Sequence, residues 1–356
     1  MNSHIFEIQP SHRFAGSNAA IRRPKEIAYF SYDDEHNFRL DESSLRYYYP
    51  PRLPTDLNGG FESFEKLDDS QDEHLDALLD TIIDLEQRTN AKCEGDVITW
   101  RGMMTKSLEV SLNAYDEFIE ENNEYKNNQK QVQKGQRMPP GAPSQELMMY
   151  WGYKFEALSL IDQPWDKTSR ETIESREEKV VNNSSQYCSV VRTGIGNNKL
   201  ILGGEVDAVW DCKPERKEDP INWVELKTTA EIRSDRDILK YERKLLKFWA
   251  QSFLLGVPKI IVGFRDEHGI LRRLEEMTTH EIPGSVKRHG RNSWDGNICI
   301  NFTAQLLDWL RNIISTEGVW RIRKREKAPV IEVFKLEDTG YGGILSDAFM
   351  NWRSQK

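Results

Sequence analysis

The sequence has few cysteines and no long apolar run. Its 356 residues contain four cysteines and no Cys-x-x-Cys pair, which argues against a disulfide framework and a zinc knuckle and favours a reducing compartment. No stretch approaches the roughly 20 consecutive apolar residues of a membrane-spanning helix, and no basic segment followed by an apolar one opens the chain. We therefore expect neither a membrane partner nor secretion.

An excess of positive charge is also missing. The formal net charge is −9, which argues against broad sequence-independent binding to a polyanion, because such binding uses many phosphate contacts. A nucleic acid would therefore have to bind in a local groove or by its end. The chain is 38% hydrophobic, contains ten Trp and is long enough to bury a large core, so we expect a globular protein.

The pattern of apolar and turn-forming residues predicts a single large α+β domain with mixed β-sheets flanked by helices. We assign 1–25 to a flexible N-terminal segment and 26–356 to the domain, in which the polar stretch 116–145 is predicted to be a mobile insertion. Ser144 is predicted to cap a helix through QELMMYWGYKFEALSLI. The segment DVITWRGMMTKSLEV is predicted to be a strand that carries Arg101.

Two predicted strands place charged residues on one face. Side chains alternate along a strand, so Glu225 and Lys227 share a face in NWVELKTT, and Glu205 and Asp207 share a face in GGEVDAVWD. Because the connection between the two strands is short, we expect them to pair and these four side chains to converge.

Three carboxylates held together repel one another, and a hard divalent cation such as Mg²⁺ would make their arrangement tolerable. An Asp, a gap of 17 residues and then E-x-K is the spacing of D-(D/E)xK nuclease cores. There the acids bind one or two metal ions across a scissile phosphate, and the lysine orients or activates the attacking water. The alternative is an exposed face whose charges pair across strands, for about 0.2 to 1 kcal/mol per pair.

A fourth acid lies on the helix predicted around YWGYKFEAL. Gly152 precedes Glu156 by about one turn on a face beside the apolar stripe. A glycine at this position predicts open space beside the carboxylate. The alternative is that Gly152 allows close helix packing and that Glu156 is simply solvated.

These segments resemble a known family. The signature motifs of the DXO family of decapping and RNA 5′-end quality-control nucleases are similar, in order and in spacing, to YWGYKFEA, GGEVDAVWD, WVELKT and KLLKFWAQSFLLGV. The upstream arginine motif of that family resembles TWRGMMTK. Two further segments, LRYYYPP and DLNGGF, resemble most closely its fungal nuclear, Rat-one-interacting branch, whose members pair with the nuclear 5′-to-3′ exoribonuclease.

The resemblance implies a metal site. Glu156, Asp207 and Glu225 would bind Mg²⁺ or Mn²⁺ together with the main-chain carbonyl of Leu226, and Glu205 would hold a second ion or its water. One or two ions are therefore expected, and a D-(D/E)xK core would surround them.

The resemblance also implies substrate contacts. Lys227 would contact the scissile phosphate or the nucleophile, and Arg101 would meet the 5′-terminal phosphates, for which its planar fork is suited. Gln251 lies in the late motif of the family. Lys244 precedes it by two helical turns and would look into the same groove, unless it is a solvated charge.

Trp165 follows the metal-binding helix and is a candidate contact for the exoribonuclease, because Trp is favoured at the centres of interfaces. Trp is more often a core residue, so burial is the alternative. Such a partner would place the protein in the nucleus.

The reaction implied by the resemblance is metal-dependent hydrolysis at an RNA 5′ end. It would release pyrophosphate from a triphosphate end, the cap nucleotide from an incompletely methylated cap, and the NAD moiety from an NAD cap. Each reaction leaves 5′-monophosphate RNA. Two other functions stay open: a mainly non-catalytic stabilising partner of the exoribonuclease, and a DNA endonuclease on the same core.

Overall fold

Three β-sheets and their flanking helices make up the described part of this computed structural model, which covers residues 3–16, 18–68, 70, 73–110, 118–119, 142–216, 219–220, 222–288, 293–325, 328–337 and 340–355. The strands are β1 (Ser3–Glu7), β2 (Ile21–Tyr32), β3 (Phe38–Arg39), β4 (Tyr47–Tyr48), β5 (Thr55–Asp56), β6 (Val97–Trp100), β7 (Phe118–Ile119), β8 (Leu160–Ile161), β9 (Gln186–Ile195), β10 (Asn198–Glu205), β11 (Ala208–Val209), β12 (Trp223–Ala230), β13 (Lys259–Arg265), β14 (Ile270–Thr278), β15 (Val319–Lys324) and β16 (Val330–Glu337). The α-helices are α1 (Asp76–Thr89), α2 (Arg101–Val110), α3 (Gln145–Ser159), α4 (Arg170–Glu174), α5 (Asp235–Leu255), α6 (Ile282–Arg288), α7 (Gly296–Ile313) and α8 (Asp347–Ser354).

The largest sheet has the strand order β5-β14-β13-β12-β11-β4-β8, and the other two have the orders β3-β2-β9-β10-β6 and β1-β16-β15-β7. In the largest sheet β12 pairs parallel with β13 and antiparallel with β11. The chain leaves the second sheet at the end of β10 and enters the largest sheet at β11, after a link of two residues. These two link residues therefore lie where the two sheets meet.

Strand β12 is covered on both faces. On one side Val224 and Leu226 belong to the cluster that contains Trp151 and Phe155 of α3. On the other side α5 packs its buried residues against the β13 residues Ile260 and Val262. A strand between two helical layers has little access to water, so the charged residues of β12 must find partners inside the protein.

The two helices beside β12 begin where short polar side chains can cap them. The Ser144 side chain accepts a hydrogen bond from the Leu147 amide at the start of α3, which confirms the predicted cap. Ser234 caps α5 in the same way, and α5 ends at Gly256 in a left-handed conformation, with φ of 75°. Both ends of α5 are therefore fixed by the local sequence.

The N-terminal residues differ from the flexible segment expected for 1–25. β1 pairs with β16, and Phe14 is buried against Phe302 of α7. The proposed boundary at 25/26 also falls inside β2. The expectation was wrong for these residues because their backbone hydrogen bonds go to the distant end of the chain, which local composition does not reveal.

The strand predicted to carry Arg101 is also corrected. β6 ends at Trp100, and Arg101 is the first residue of α2. The apolar spacing changes there from strand-like to helical, since Met104 and Leu108, four residues apart, are both buried. Most of the predicted insertion 116–145 lies outside the described residues. None of the described helices is both long enough and apolar enough to cross a bilayer.

Candidate active site

Glu225 is a buried carboxylate that lies between two cations. Its side chain is 1% exposed, and its Oε1 lies 2.6 Å from Lys227 Nζ and 3.6 Å from Arg101 Nη1. Burial by itself raises the pKa of Glu225, but Lys227 and Arg101 outweigh it and the net pKa is lowered. Burial likewise opposes the charged form of Lys227, yet Glu225, Asp207 and Glu156 raise its pKa above the usual value. Both groups are therefore charged at neutral pH.

Asp207 lies in the link between β10 and β11, and its Oδ2 accepts a hydrogen bond of 2.6 Å from the Leu226 amide. This bond holds the link against β12. Burial and the charge of Glu225 raise the pKa of Asp207 to about 8, although Lys227 partly offsets them. Glu205 ends β10, and burial raises its pKa too, with Arg101 acting against that rise. The predicted convergence is confirmed, but Asp207 reaches β12 from a link and not from a paired strand.

Glu156 faces the same cluster from α3. Burial raises its pKa well above the usual value, and the charges of Asp207 and Glu205 raise it further. A Cβ placed on Gly152 would have no protein atom within 4 Å outside its own stretch of helix. This result confirms the predicted open space and rules out the alternative that Gly152 serves close packing. Met149, on the same face, is 50% exposed. This side of α3 is accessible to a ligand.

Glycines of β10 leave the space that Arg101 occupies beside Glu225. Trp100 pairs in register with Gly203, so α2 starts directly beside the end of β10. A Cβ on Gly204 would lie 2.9 Å from Arg101 Cβ and 3.5 Å from its Nε. The absent side chain thus lets Arg101 lie across the strand.

Two polar atoms of this cluster are buried without a hydrogen-bond partner, Arg101 Nη1 and Glu225 Oε2. Buried polar atoms are nearly always paired in folded proteins, so unpaired ones indicate a group that binds there. An anion would satisfy the guanidinium, and a cation would satisfy the carboxylate.

The side chains fit a hard divalent cation by their chemistry. Their donors are oxygens, Glu225 Oε2 is unpaired, and three carboxylates have pKa values raised by burial and mutual repulsion. Among the described residues, however, no three His, Cys, Asp or Glu side chains are already placed to hold an ion. Lys227 contacts Glu225 Oε1 and the Leu226 amide contacts Asp207 Oδ2, so Glu225 Oε2 is the carboxylate oxygen without a hydrogen bond that an ion would meet first.

The predicted substrate and partner contacts Lys244, Gln251 and Trp165 lie outside this cluster of acids. Lys244 on α5 is exposed, and its Nζ lies 3.4 Å from the hydroxyl of Thr229 on β12. Gln251, two turns further along α5, is half-buried. Trp165 is 57% exposed, and its indole nitrogen donates a hydrogen bond to Asp211. Thr229 was missed in the sequence analysis, although it follows Lys227 by two residues and therefore shares its face.

This geometry agrees with comparisons to known proteins. A family described as RAI1-like PD-(D/E)XK nuclease matches residues 22–350. The chain belongs to this family. It is therefore a hydrolase of the nuclease type, and both the predicted D-(D/E)xK core and the α+β fold class are confirmed.

Full-length relatives support the assignment. Decapping nuclease RAI1 of Aspergillus fumigatus is 65% identical over 364 residues, and the match covers 100% of both chains. The crystal structure of Candida albicans Rai1 in complex with pU5-Mn²⁺ superposes with a TM-score of 0.91 at 30% identity and covers 100% of both chains. That of Scheffersomyces stipitis Rai1 with (3′-NADP)⁺ and a calcium ion gives 0.90 at 30% identity, covering 99% of this chain and 100% of the other.

A divalent cation is expected to stabilise the protein more at pH 8 than at pH 6. The pKa values of these carboxyl groups are higher in the folded protein than in the unfolded chain, so their protonated forms stabilise the fold. This stabilisation is lost as pH rises through the folded-state pKa, which is about 8 for Asp207. A bound cation neutralises the carboxylates in place of the lost protons, so its stabilising effect grows as pH rises from 6 to 8. Calorimetry with Mn²⁺ or EDTA should show a shift in melting temperature at least about 3 °C larger at pH 8. Equal shifts at both pH values would contradict the account.

Proposed function

We propose that the protein is a metal-dependent decapping nuclease that acts on RNA 5′ ends and leaves 5′-monophosphate RNA. Its substrates are 5′-triphosphate ends, incompletely methylated caps and NAD caps. The observation that carries the proposal is the buried Glu225 carboxylate between Lys227 and Arg101. Its Oε2 and the Arg101 Nη1 are both buried without a hydrogen-bond partner. The name of the Aspergillus relative, and the RNA and dinucleotide ligands of the two solved relatives, support it.

The ligands of the ion would be Glu156, Asp207, Glu225 and the carbonyl of Leu226, with Glu205 available for a second ion or its water. Mg²⁺ and Mn²⁺ both suit such oxygen ligands. When bound, the ion supplies positive charge that offsets the charge developing on the scissile phosphate.

Lys227 acts in this scheme as a cation and not as a base. Its neighbouring carboxylates raise its pKa, so the ammonium keeps its proton at neutral pH. A protonated lysine donates hydrogen bonds to a phosphate oxygen or holds the attacking water by its oxygen, and it stabilises the negative charge of the transition state. Arg101 lies on the other side of Glu225, and its Nη1, which has no hydrogen-bond partner, can donate to the phosphates of the departing 5′ group.

The deciding experiment measures release of pyrophosphate, cap nucleotide and NAD from the three kinds of RNA end, with Mg²⁺, Mn²⁺ or EDTA. We expect cleavage with either ion and none with EDTA, and a 5′-monophosphate on the product. Cleavage of duplex DNA without a need for an RNA end would favour the endonuclease alternative. A folded, metal-loaded protein that cuts none of these substrates would favour the stabilising-partner alternative.

We further propose that Trp165 contacts the nuclear 5′-to-3′ exoribonuclease and that the protein works in the nucleus. Trp165 borders a cavity of about 720 Å³. Arg176 shapes this cavity, because its guanidinium donates hydrogen bonds to the carbonyls of Tyr49 and Leu158. An exposed Trp beside a preformed cavity is the arrangement expected of an interface anchor.

Replacing Trp165 by Ala is expected to weaken binding of the exoribonuclease by at least about 30-fold, since central aromatic residues contribute about 2 kcal/mol or more. Hydrolysis of 5′-triphosphate RNA should change less than about twofold, because the hydrogen bond of Trp165 goes to Asp211 and not to Glu156, Glu205, Asp207 or Glu225. Calorimetric titration of the purified partner measures the first effect. Leu40→Ala, which removes a 48% exposed side chain elsewhere, is the matched control. Unchanged binding in the Trp165 variant would remove this residue from the interface.

A further inference from the structure

Three exposed cations lie side by side on the second sheet. Lys25 on β2 pairs in register with Arg192 on β9, and Arg22 pairs with Gly194, two residues further along β9. Side chains alternate along a strand, so Arg192 and Gly194 share a face, and their cross-strand partners share it too. The position of Arg22 agrees, because its Cδ lies 3.0 Å from the place of a Cβ on Gly194. We call Arg22, Lys25 and Arg192 the basic patch.

The fold does not neutralise the charges of the basic patch. None of its three side chains forms an ion pair with a described residue. The next cation on this face, Lys199 of β10, pairs in register with Gly194 and does have an acidic partner, Glu94 at 3.5 Å. Like charges directly opposite each other destabilise a sheet. The pair of Lys25 and Arg192 therefore persists in a chain with 58 acidic residues against 49 basic ones, without using any of these acids.

Protection of a sheet edge explains only part of the basic patch. Among the described strands, β2 pairs on its outer side with β3 at Ser31 and Tyr32, so its first half is an edge. Charges, a proline such as Pro24 and register shifts, of which β2 has two, hinder the addition of another strand there. Arg192, however, belongs to β9, the central strand of the five, which needs no such protection. A partner would therefore bind to the side chains of this face and not as an added strand.

The surroundings of the basic patch favour carboxylates over RNA. Along β9, Gly194 lies about 20 Å from Cys188, the residue that pairs with Glu205 of the acidic site. Single-stranded RNA is held by cations together with aromatic rings on which its bases stack. The β10 residues that pair with Gly194 and Arg192 are Lys199 and Ile201, and neither is aromatic. Carboxylates need only the cations, and a guanidinium can hold a carboxylate by two hydrogen bonds.

We propose that the basic patch binds an acidic peptide segment of a partner protein. An extended peptide places every second side chain on one side, at intervals of about 7 Å. Cross-strand neighbours in the patch are about 5 to 8 Å apart, so alternate Asp or Glu residues of the peptide match them. The peptide supplies the negative charge that the fold withholds from Lys25 and Arg192. This inference goes beyond the proposed function and does not depend on it.

The test measures binding of a fluorescent peptide of alternating Asp and Ser to the full chain by anisotropy, with alternating Asn and Ser as the uncharged probe. We expect the wild type to bind the Asp peptide and not the Asn peptide, and Arg192→Gln to bind the Asp peptide about five- to tenfold more weakly. Arg192→Lys should lose less affinity, because it keeps the charge and loses only the bidentate contact. Lys287→Gln removes an exposed charge on α6 and is the matched control.

A second variant, Lys25→Glu, tests whether the repulsion costs stability. It places an acid directly opposite Arg192, so we expect the melting temperature to rise by about 1 to 3 °C and binding of the Asp peptide to be lost. Hydrolysis of 5′-triphosphate RNA should stay within about twofold of the wild type in both variants, since neither residue belongs to the acidic site.

No binding of the Asp peptide by the wild type, or equal binding by the wild type and Arg192→Gln, would overturn the proposal. So would an Arg192→Gln variant that binds the peptide as before but binds an oligouridylate more weakly, because the patch would then serve RNA. The readout is peptide binding, so it decides this point even if the protein cuts no RNA end. Failure of the proposed function appears separately, as an absence of cleavage by the wild-type protein.

Discussion

Asp207→Asn is expected to reduce hydrolysis of 5′-triphosphate RNA at least about 1,000-fold and to raise the melting temperature of the metal-free protein. Burial, and then the charge of Glu225, raise the pKa of Asp207 to about 8, so the Asp207 charge opposes folding above that pH. Asn removes the charge, and its carbonyl oxygen can still accept the hydrogen bond from the Leu226 amide. In the metal-free protein the Asp207 charge therefore destabilises the fold.

The opposite pattern is expected at a carboxylate that serves the fold. Glu86 is fully buried, lies 2.7 Å from the Arg353 guanidinium and accepts a hydrogen bond from the Cys93 amide. Glu86→Gln should lower the melting temperature and leave kcat within about twofold of the wild type. The two variants are compared at pH 8 in EDTA for stability and in Mn²⁺ for turnover. If Asp207→Asn destabilised the metal-free protein, the account of repelling acids would be incorrect.

The acidic site was accessible from sequence because its information is local. Strand alternation places Glu225 and Lys227 together, and one helical turn relates Gly152 to Glu156. The structure confirms both relations. For Asp207 the same argument correctly predicted a position beside β12, but it wrongly placed Asp207 in a strand. The carboxylate lies in the link before β11, where it accepts a hydrogen bond from the Leu226 amide.

The position of the Arg101 guanidinium was less accessible from sequence because it depends on a tertiary contact. Arg101 reaches Glu225 because Gly204, about 100 residues later, leaves room for it. Local patterns thus relate residues of one strand or one helix, whereas Arg101 joins the site through a contact with a distant part of the chain.

Lys227→Met is expected to impair both stability and activity. The ammonium lies 2.6 Å from Glu225, whose side chain is 1% exposed, so the variant leaves a buried carboxylate with Arg101 as its remaining cation, at 3.6 Å. Removing one partner of a buried pair costs about 3 to 5 kcal/mol. Urea unfolding in EDTA should show a loss of this size, and turnover with Mn²⁺ should fall about 100- to 1,000-fold, because the variant lacks the ammonium that we propose contacts the scissile phosphate.

A double variant separates the lost charge pair from lost packing. Lys227→Met with Glu225→Gln removes both charges, so the double variant should recover most of the stability lost in Lys227→Met while remaining inactive. Mn²⁺ should raise the stability of Lys227→Met more than that of the double variant, since only the single variant keeps the Glu225 charge. Equal instability of the two variants would mean that Lys227 stabilises the fold through its alkyl chain. Recovery would instead show that the charge of Glu225 is tolerated only beside a cation, which is the condition under which it can also hold a metal ion.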